Sequence, residues 1–204
     1  MRTLAIACLA ALLAPGSAQP RPALEARFIG NMAYAITDGT STLMSDFPYQ
    51  SGYSRYMTYD AALIRSATAP GTTLSLVTHR HLDHWEPALF GATDWKVAGP
   101  ADVIAGVDPS RVVPLSGGGA FGGMRIDALE TPHASVGHYS YIVTWHGRRL
   151  YFTGDTESTE ALLAAITLGA YVWALQNYGE GAHARTVALL VVVGGSWRGA
   201  PELG

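Results

Sequence analysis

Cysteine occurs once in this 204-residue chain, at Cys8, and lysine once, at Lys96. One cysteine excludes an internal disulfide framework. Because Cys8 sits in an apolar leader, the rest of the chain offers no thiolate, and a metal centre would be built from nitrogen and oxygen alone. Charge of either sign is sparse: 13 Lys and Arg stand against 16 Asp and Glu, a formal net charge of -3. That balance provides no basic stripe for nucleic acid and no charged tail. No apolar run reaches the about 20 residues that a spanning helix needs. Gly117, Gly118 and Gly119, with Gly122 and Gly123, lack the Lys, Ser and Thr pattern of a phosphate cradle and predict a flexible turn.

The N-terminus has the layout of an export signal. Arg2 precedes an apolar stretch over residues 4–14, and Gly16, Ser17 and Ala18 supply the small residues of a processing site. The expectation is a signal peptide over 1–18 and one domain over 19–204, periplasmic or secreted, with no stable membrane span after cleavage. About 185 residues bury a substantial core but do not comfortably divide into two domains.

Strand signals begin with 33–37 and 41–45, joined by Asp38 and Gly39 as a hairpin. An aromatic, Pro- and Gly-containing loop follows over 47–53, then a helix over 56–67 and a buried strand over 74–77. Short strands are predicted at 95–98 and 112–115, with a helix at 102–105 between them. Three strands, 124–130, 139–145 and 149–153, come next, the last two joined by a tight turn at His146 and Gly147 that leaves His146 exposed. Thr156 caps a helix to about 168, with Glu157 and Glu160 in its first turn, where the helix dipole favours negative charge. The alternation predicts two stacked sheets with helices outside.

The buried strand at 74–77 runs directly into Thr78, His79, Arg80, His81, Leu82, Asp83 and His84. Three imidazoles and a carboxylate within six positions are ligands that Zn²⁺ accepts, and so dense a polar group is costly to bury without a metal or solvent. In an extended loop, positions i and i+2 point the same way, so His79 and His81 can converge on one ion. A lone His133 or Asp155 would ordinarily be a surface, turn or capping residue; their meaning depends on this cluster.

The HxHxDH run, His133 after Thr131 and Pro132, and Asp155 within Thr153, Gly154, Asp155, Thr156 together resemble the metallo-β-lactamase superfamily, most clearly over residues 28–168. The resemblance implies an α/β (α+β) fold, a four-layer αββα sandwich, with a metal site at the edge where the sheets meet. It implies that His79, His81 and His133 bind a first ion, that Asp83 and His84 bind a second, and that Asp155 bridges them. The ions are expected to be zinc, one or two, with iron or manganese as alternatives. Paired cations about 3.5–4 Å apart ionise a shared water, which attacks a carbonyl carbon or phosphorus; Asp83 ligates, steers the attack and passes a proton. The expected enzyme is a metal-dependent hydrolase acting on a small-molecule ester, lactone, amide or phosphoester. An iron-dependent oxidoreductase on the same scaffold and a non-catalytic or defective metal-binding homologue stand as alternatives.

Three further readings concern the surroundings of the site. Asp46 is expected to support a ligand histidine by fixing its tautomer. His138 either contacts substrate or serves a hydrogen-bonded structural role, and Tyr49, with Phe47, Tyr53, Tyr56 and Tyr59, either lines the substrate pocket or packs in the core. The pattern also breaks. The superfamily normally supplies one more ligand histidine after the last strand, here 187–193, but Gly194, Gly195, Ser196 and Trp197 stand there, and His183 precedes that strand. From about 167 the composition drifts towards Ala, Gly, Val and Trp, as a frame change or real divergence would give.

Overall fold

The computed structural model describes residues 22–30, 33–46, 61–68, 72–156, 171–178 and 185–191. The expected leader, the loop expected around Tyr49, the helix expected beyond Thr156, His183 and the stretch from Gly194 to Trp197 lie outside the described residues.

Alternating strand signals and tight turns build two mixed sheets. The first contains β1 (Glu25–Gly30), β2 (Ala33–Thr37), β3 (Thr42–Ser45), β4 (Thr73–Leu76) and β5 (Lys96–Ala98), side by side in chain order. Its β1-β2-β3 part is antiparallel and its β3-β4-β5 part parallel. Among the described residues three short α-helices accompany it: α1 (Ala61–Ala67), α2 (Pro87–Gly91) and α3 (Ala101–Ile104). The second sheet contains β6 (Gly119–Phe121), β7 (Met124–Glu130), β8 (Tyr139–Trp145), β9 (Arg148–Phe152), β10 (Tyr171–Tyr178) and β11 (Arg185–Val191), again in order along the sheet. It is antiparallel except for β9 beside β10.

The turns follow from their residues. Asp38 Oδ1 accepts the Thr40 and Ser41 amides at 2.8 Å each, closing the expected β2–β3 hairpin. His146 and Gly147 take φ values of 48° and 70°, the left-handed pair that a two-residue hairpin needs. Two expectations are corrected. The strand expected at 112–115 reduces to one bridge, Val97 to Val112, because Pro114 has no amide hydrogen with which to extend a ladder. The glycine run is more than a turn: Gly119 begins edge strand β6, which pairs with β7 across Gly122 and Gly123.

Leu43, Leu74 and Leu76 of the first sheet pack against Ile126, Tyr141, Val143, Trp145 and Phe152 of the second. On its other face the first sheet is covered by Ile64 of α1, Phe90 of α2 and Val103 of α3, together with Trp85 and Trp95. Every residue of β3 and β4 is therefore buried, which is why these strands show no polar alternation. Each fully buried Leu contributes about 1.5–3 kcal/mol. The fold is the expected α/β (α+β) arrangement of facing sheets. The chain leaves β3, β4, β7 and β9 at one common edge, where β8 also begins.

Candidate metal centre

At that edge the ends of β4, β7 and β9 bring five of the six predicted ligands together, all but Asp83. His79, His81 and His133 form one group and His79, His84 and Asp155 another, with ligand atoms within 4.8 Å of one another in each. In the first, His81 Nδ1 lies 3.0 Å from His79 Nε2 and 3.3 Å from His133 Nε2. His79 is central: its ring centroid is 4.0 Å from that of His84 and 4.6 Å from those of both His81 and His133. The turn that returns His84 to this cluster is closed by the His84 and Trp85 amides, both donating to the His81 carbonyl at 2.9 Å.

Asp46 organises the rings from beneath. Its Oδ1 accepts the Thr78 amide at 2.7 Å and the Thr78 hydroxyl at 2.9 Å, and its Oδ2 faces His84 Nδ1 at 3.0 Å. Because the hydroxyl hydrogen of Thr78 goes to Asp46, Thr78 Oγ1 can only accept from His79 Nδ1 at 3.1 Å. Both Nδ1 atoms thus carry hydrogen, and the Nε2 atoms of His79 and His84 turn towards the cluster. This is the supporting carboxylate expected at Asp46. Thr78, which sequence reasoning missed, shares the task; its only sequence signal is a hydroxyl residue between a buried strand and the first histidine.

The electrostatics divide the histidines. Burial, then the neighbouring imidazoles, holds His79 and His81 below the ordinary histidine range, which favours the neutral form that a metal ligand needs. Burial would lower His84 as well, but facing Asp46 and Asp155 pushes it well above that range. Burial would raise Asp155, yet His84 and then His133 hold it below the usual carboxylate value. Burial also takes His138 down to about 4.

A divalent ion fits this donor set. His84 Nε2 and Asp155 Oδ1 are buried and face each other at 3.4 Å, and among the described residues neither has a hydrogen-bond partner. Such atoms are costly to leave unsatisfied, and a cation liganded by both removes the cost. His79, His81 and His133 could hold one ion and His79, His84 and Asp155 a second. Asp83, expected to bind the second ion with His84, belongs to neither group; its Oδ2 lies 3.7 Å from His84 Nε2, at the partly exposed mouth of the cluster. Arg80 turns away and pairs with Asp102 of α3 at 3.1 Å.

Two histidines predicted at the periphery are placed firmly. Both ring nitrogens of His138 are hydrogen-bonded, to Thr131 Oγ1 at 2.8 Å and to the Asp155 amide at 3.1 Å. His146, expected to be an exposed turn residue, is instead half-buried: it meets Asp38 Oδ2 at 2.7 Å and stacks on Trp145, tying the two hairpin turns together. Tyr49 lies outside the described residues.

No family model matches the sequence. The chain is 37% identical over 93 residues to a hydroxyacylglutathione hydrolase of Pseudomonas entomophila, a match that covers 43% of this chain and 35% of that protein. The chain thus spans about a third of that relative's length. Among solved structures it is similar to a protein of Veillonella parvula named a possible metal-dependent hydrolase, with a TM-score of 0.58 and 14% identity over 83% of this chain and 78% of that one. A diiron β-hydroxylase of Streptomyces venezuelae gives a TM-score of 0.54 and 16% identity over 74% of this chain and 33% of the other. With two facing sheets and histidine-rich loops at their shared edge, this chain has the metallo-β-lactamase fold.

Proposed function

We propose that this chain is an exported, metal-dependent hydrolase acting on a small ester, lactone, amide or phosphoester. The observation that carries the reading is the pair of overlapping donor groups sharing His79, with His84 Nε2 and Asp155 Oδ1 buried, facing each other and, among the described residues, without a hydrogen-bond partner. Bound there, one or two divalent cations supply Lewis acidity and lower the pKa of water towards neutrality. The remaining work belongs to the chain. Asp46 and Thr78 hold His79 and His84 in the tautomer that presents Nε2. Asp83, at the mouth of the cluster, holds the proton released as water attacks and returns it to the leaving oxygen or nitrogen. Zinc is the proposed ion because the donors are imidazole and carboxylate. The leader over 1–18 supports export. Among the described residues no helix is long and apolar enough to cross a membrane.

The test is metal analysis of protein purified without added metal, with a substrate panel of lactones, β-lactams, phosphodiesters and carboxylic esters. A hydroxyacylglutathione thioester joins the panel because the Pseudomonas relative is named for one. Turnover of one class, lost on chelation and restored by zinc, supports the reading. Metal well below one ion per chain with no turnover contradicts it and favours a defective homologue. The all-nitrogen-and-oxygen donor set gives a second reading, an iron-dependent oxidoreductase, since the same ligands accept iron. Bound iron with oxygen consumption would favour it.

A further inference from the structure

We infer that His138 is a positioning residue, which fixes the Asp155 turn through its Nδ1–H tautomer and binds neither metal nor substrate. The inference rests on a hydrogen-bonded circuit with only one consistent direction. Ser140 Oγ donates to the Thr153 carbonyl at 2.7 Å, a bond in which the carbonyl can only accept. With its hydrogen spent there, Ser140 Oγ must accept from the Thr131 hydroxyl, 3.1 Å away. Thr131 Oγ1, its own hydrogen spent in turn, must accept from His138 Nδ1 at 2.8 Å. At the other end the Asp155 amide donates to His138 Nε2 at 3.1 Å, and that nitrogen must be bare. Both ends of the circuit independently demand the same tautomer.

The circuit starts at the Thr153 carbonyl and ends at the Asp155 amide, so it clamps both sides of Gly154. Gly154 has φ +58°, and a Cβ there would run into His138 Nε2 and come within 2.8 Å of Thr78 Cβ. The turn that aims Asp155 at His84 is therefore moulded against the His138 ring. Thr156 Oγ1 adds a bond to the Pro132 carbonyl at 3.2 Å, tying the far side of the turn to the segment carrying His133. Nothing of the His138 ring is left for a ligand: it is 2 % exposed, and both nitrogens are used.

Three measurements test this, two of them on metal-free protein, so they stand or fall apart from the proposed hydrolase activity. Long-range ¹H–¹⁵N spectra of histidine-labelled apo protein should show His138 protonated at Nδ1 and bare at Nε2; protonation at Nε2 overturns the inference. Hydrogen exchange at the Asp155 amide should quicken about 10-fold in His138→Leu, as expected for losing one hydrogen bond, and slow again in His138→Gln, whose amide oxygen can accept. If His138→Leu does not fold, Thr131→Val, which removes the Nδ1 acceptor together with the donor to Ser140 Oγ, should quicken the same amide, with Thr131→Ser restoring it. Unchanged exchange in every folded variant refutes the circuit. In titrations with zinc, His138→Leu should weaken the ion at His84 and Asp155 roughly 10–100-fold while His138→Gln recovers most of it. Equal zinc affinity in wild type and His138→Leu contradicts the positioning role.

Discussion

Tyr141 donates its hydroxyl hydrogen to the Val77 carbonyl at 2.6 Å, crossing from the second sheet to the strand end that delivers His79. Beside it the Tyr139 amide donates to the Thr78 carbonyl at 2.9 Å. These two bonds join the sheets directly under the metal-ligand loop. His133 and Asp155 come from one sheet and His79, His81 and His84 from the other, so the ligand set depends on this seam.

Tyr141→Phe keeps the buried ring and removes only the bond, leaving the Val77 carbonyl without that donor. The expected cost is about 1–3 kcal/mol, read as a lower urea midpoint at unchanged slope. An unaltered midpoint would mean the seam is held by packing alone.

Gly154→Ala places a methyl group against the His138 ring and Thr78 at a backbone angle of +58°. Strain and overlap together should cost about 2 kcal/mol or more. Thermal unfolding checks this, and a variant as stable as the parent would show that the turn is not packed as described.

Asp46→Ala leaves the Nδ1 atom of His84 and the Thr78 amide without their acceptor. Metal affinity should fall roughly 10–100-fold in chelator competition, with the ion bound through His84 affected most. Asp46 and Asp155 push His84 above the ordinary histidine value against the effect of burial. A histidine nitrogen must be free of its proton to hold a metal, so the zinc affinity of the apo protein should rise as pH rises, read by chelator competition at several pH values. An affinity that does not rise with pH would contradict ligation through these imidazoles.

Asp38 and His146 give a pH dependence at a distance from the site. Burial alone would raise the Asp38 carboxyl, but the Ser41 amide, the His146 ring and the Thr40 amide hold it below its ordinary value of 3.8. A carboxylate with a depressed folded pKa stabilises the protein above the unfolded value, and that contribution is lost as pH falls through the folded one. Asp38→Asn should therefore cost about 1 kcal/mol at neutral pH, and the deficit should shrink as pH drops below 4. Denaturation at several pH values checks this; a deficit that persists in acid would contradict the sign.

The features legible in the sequence are those with local signals. Asp38 with Gly39 and His146 with Gly147 marked their hairpins because left-handed and Asx geometries depend on the residues in the turn itself. The run from His79 to His84 was legible because its ligands are neighbours in the chain. His133 and Asp155 needed a resemblance, since nothing local separates a ligand from a turn residue. Long-range partners carry little local signal: Asp46, 38 positions from His84, was expected to support a ligand histidine only through the place near the metal groove that the resemblance implied, and Asp38, 108 positions from His146, was not expected to meet it at all. The exposure expected of His146 failed for that reason, as its partner is on the other sheet. The strand expected at 112–115 failed because apolar residues around Pro114 look extended while the ladder needs an amide that proline lacks.

The central claim, that these imidazoles and carboxylates grip divalent ions, is tested most directly by metal content. Elemental analysis of wild type, His81→Ala and His133→Ala, with circular dichroism on the same samples, is the decisive measurement. At least one ion per wild-type chain is expected, lost in both variants while the fold persists. Wild-type protein that takes up no zinc, manganese or iron, or variants that keep their full metal, would contradict it.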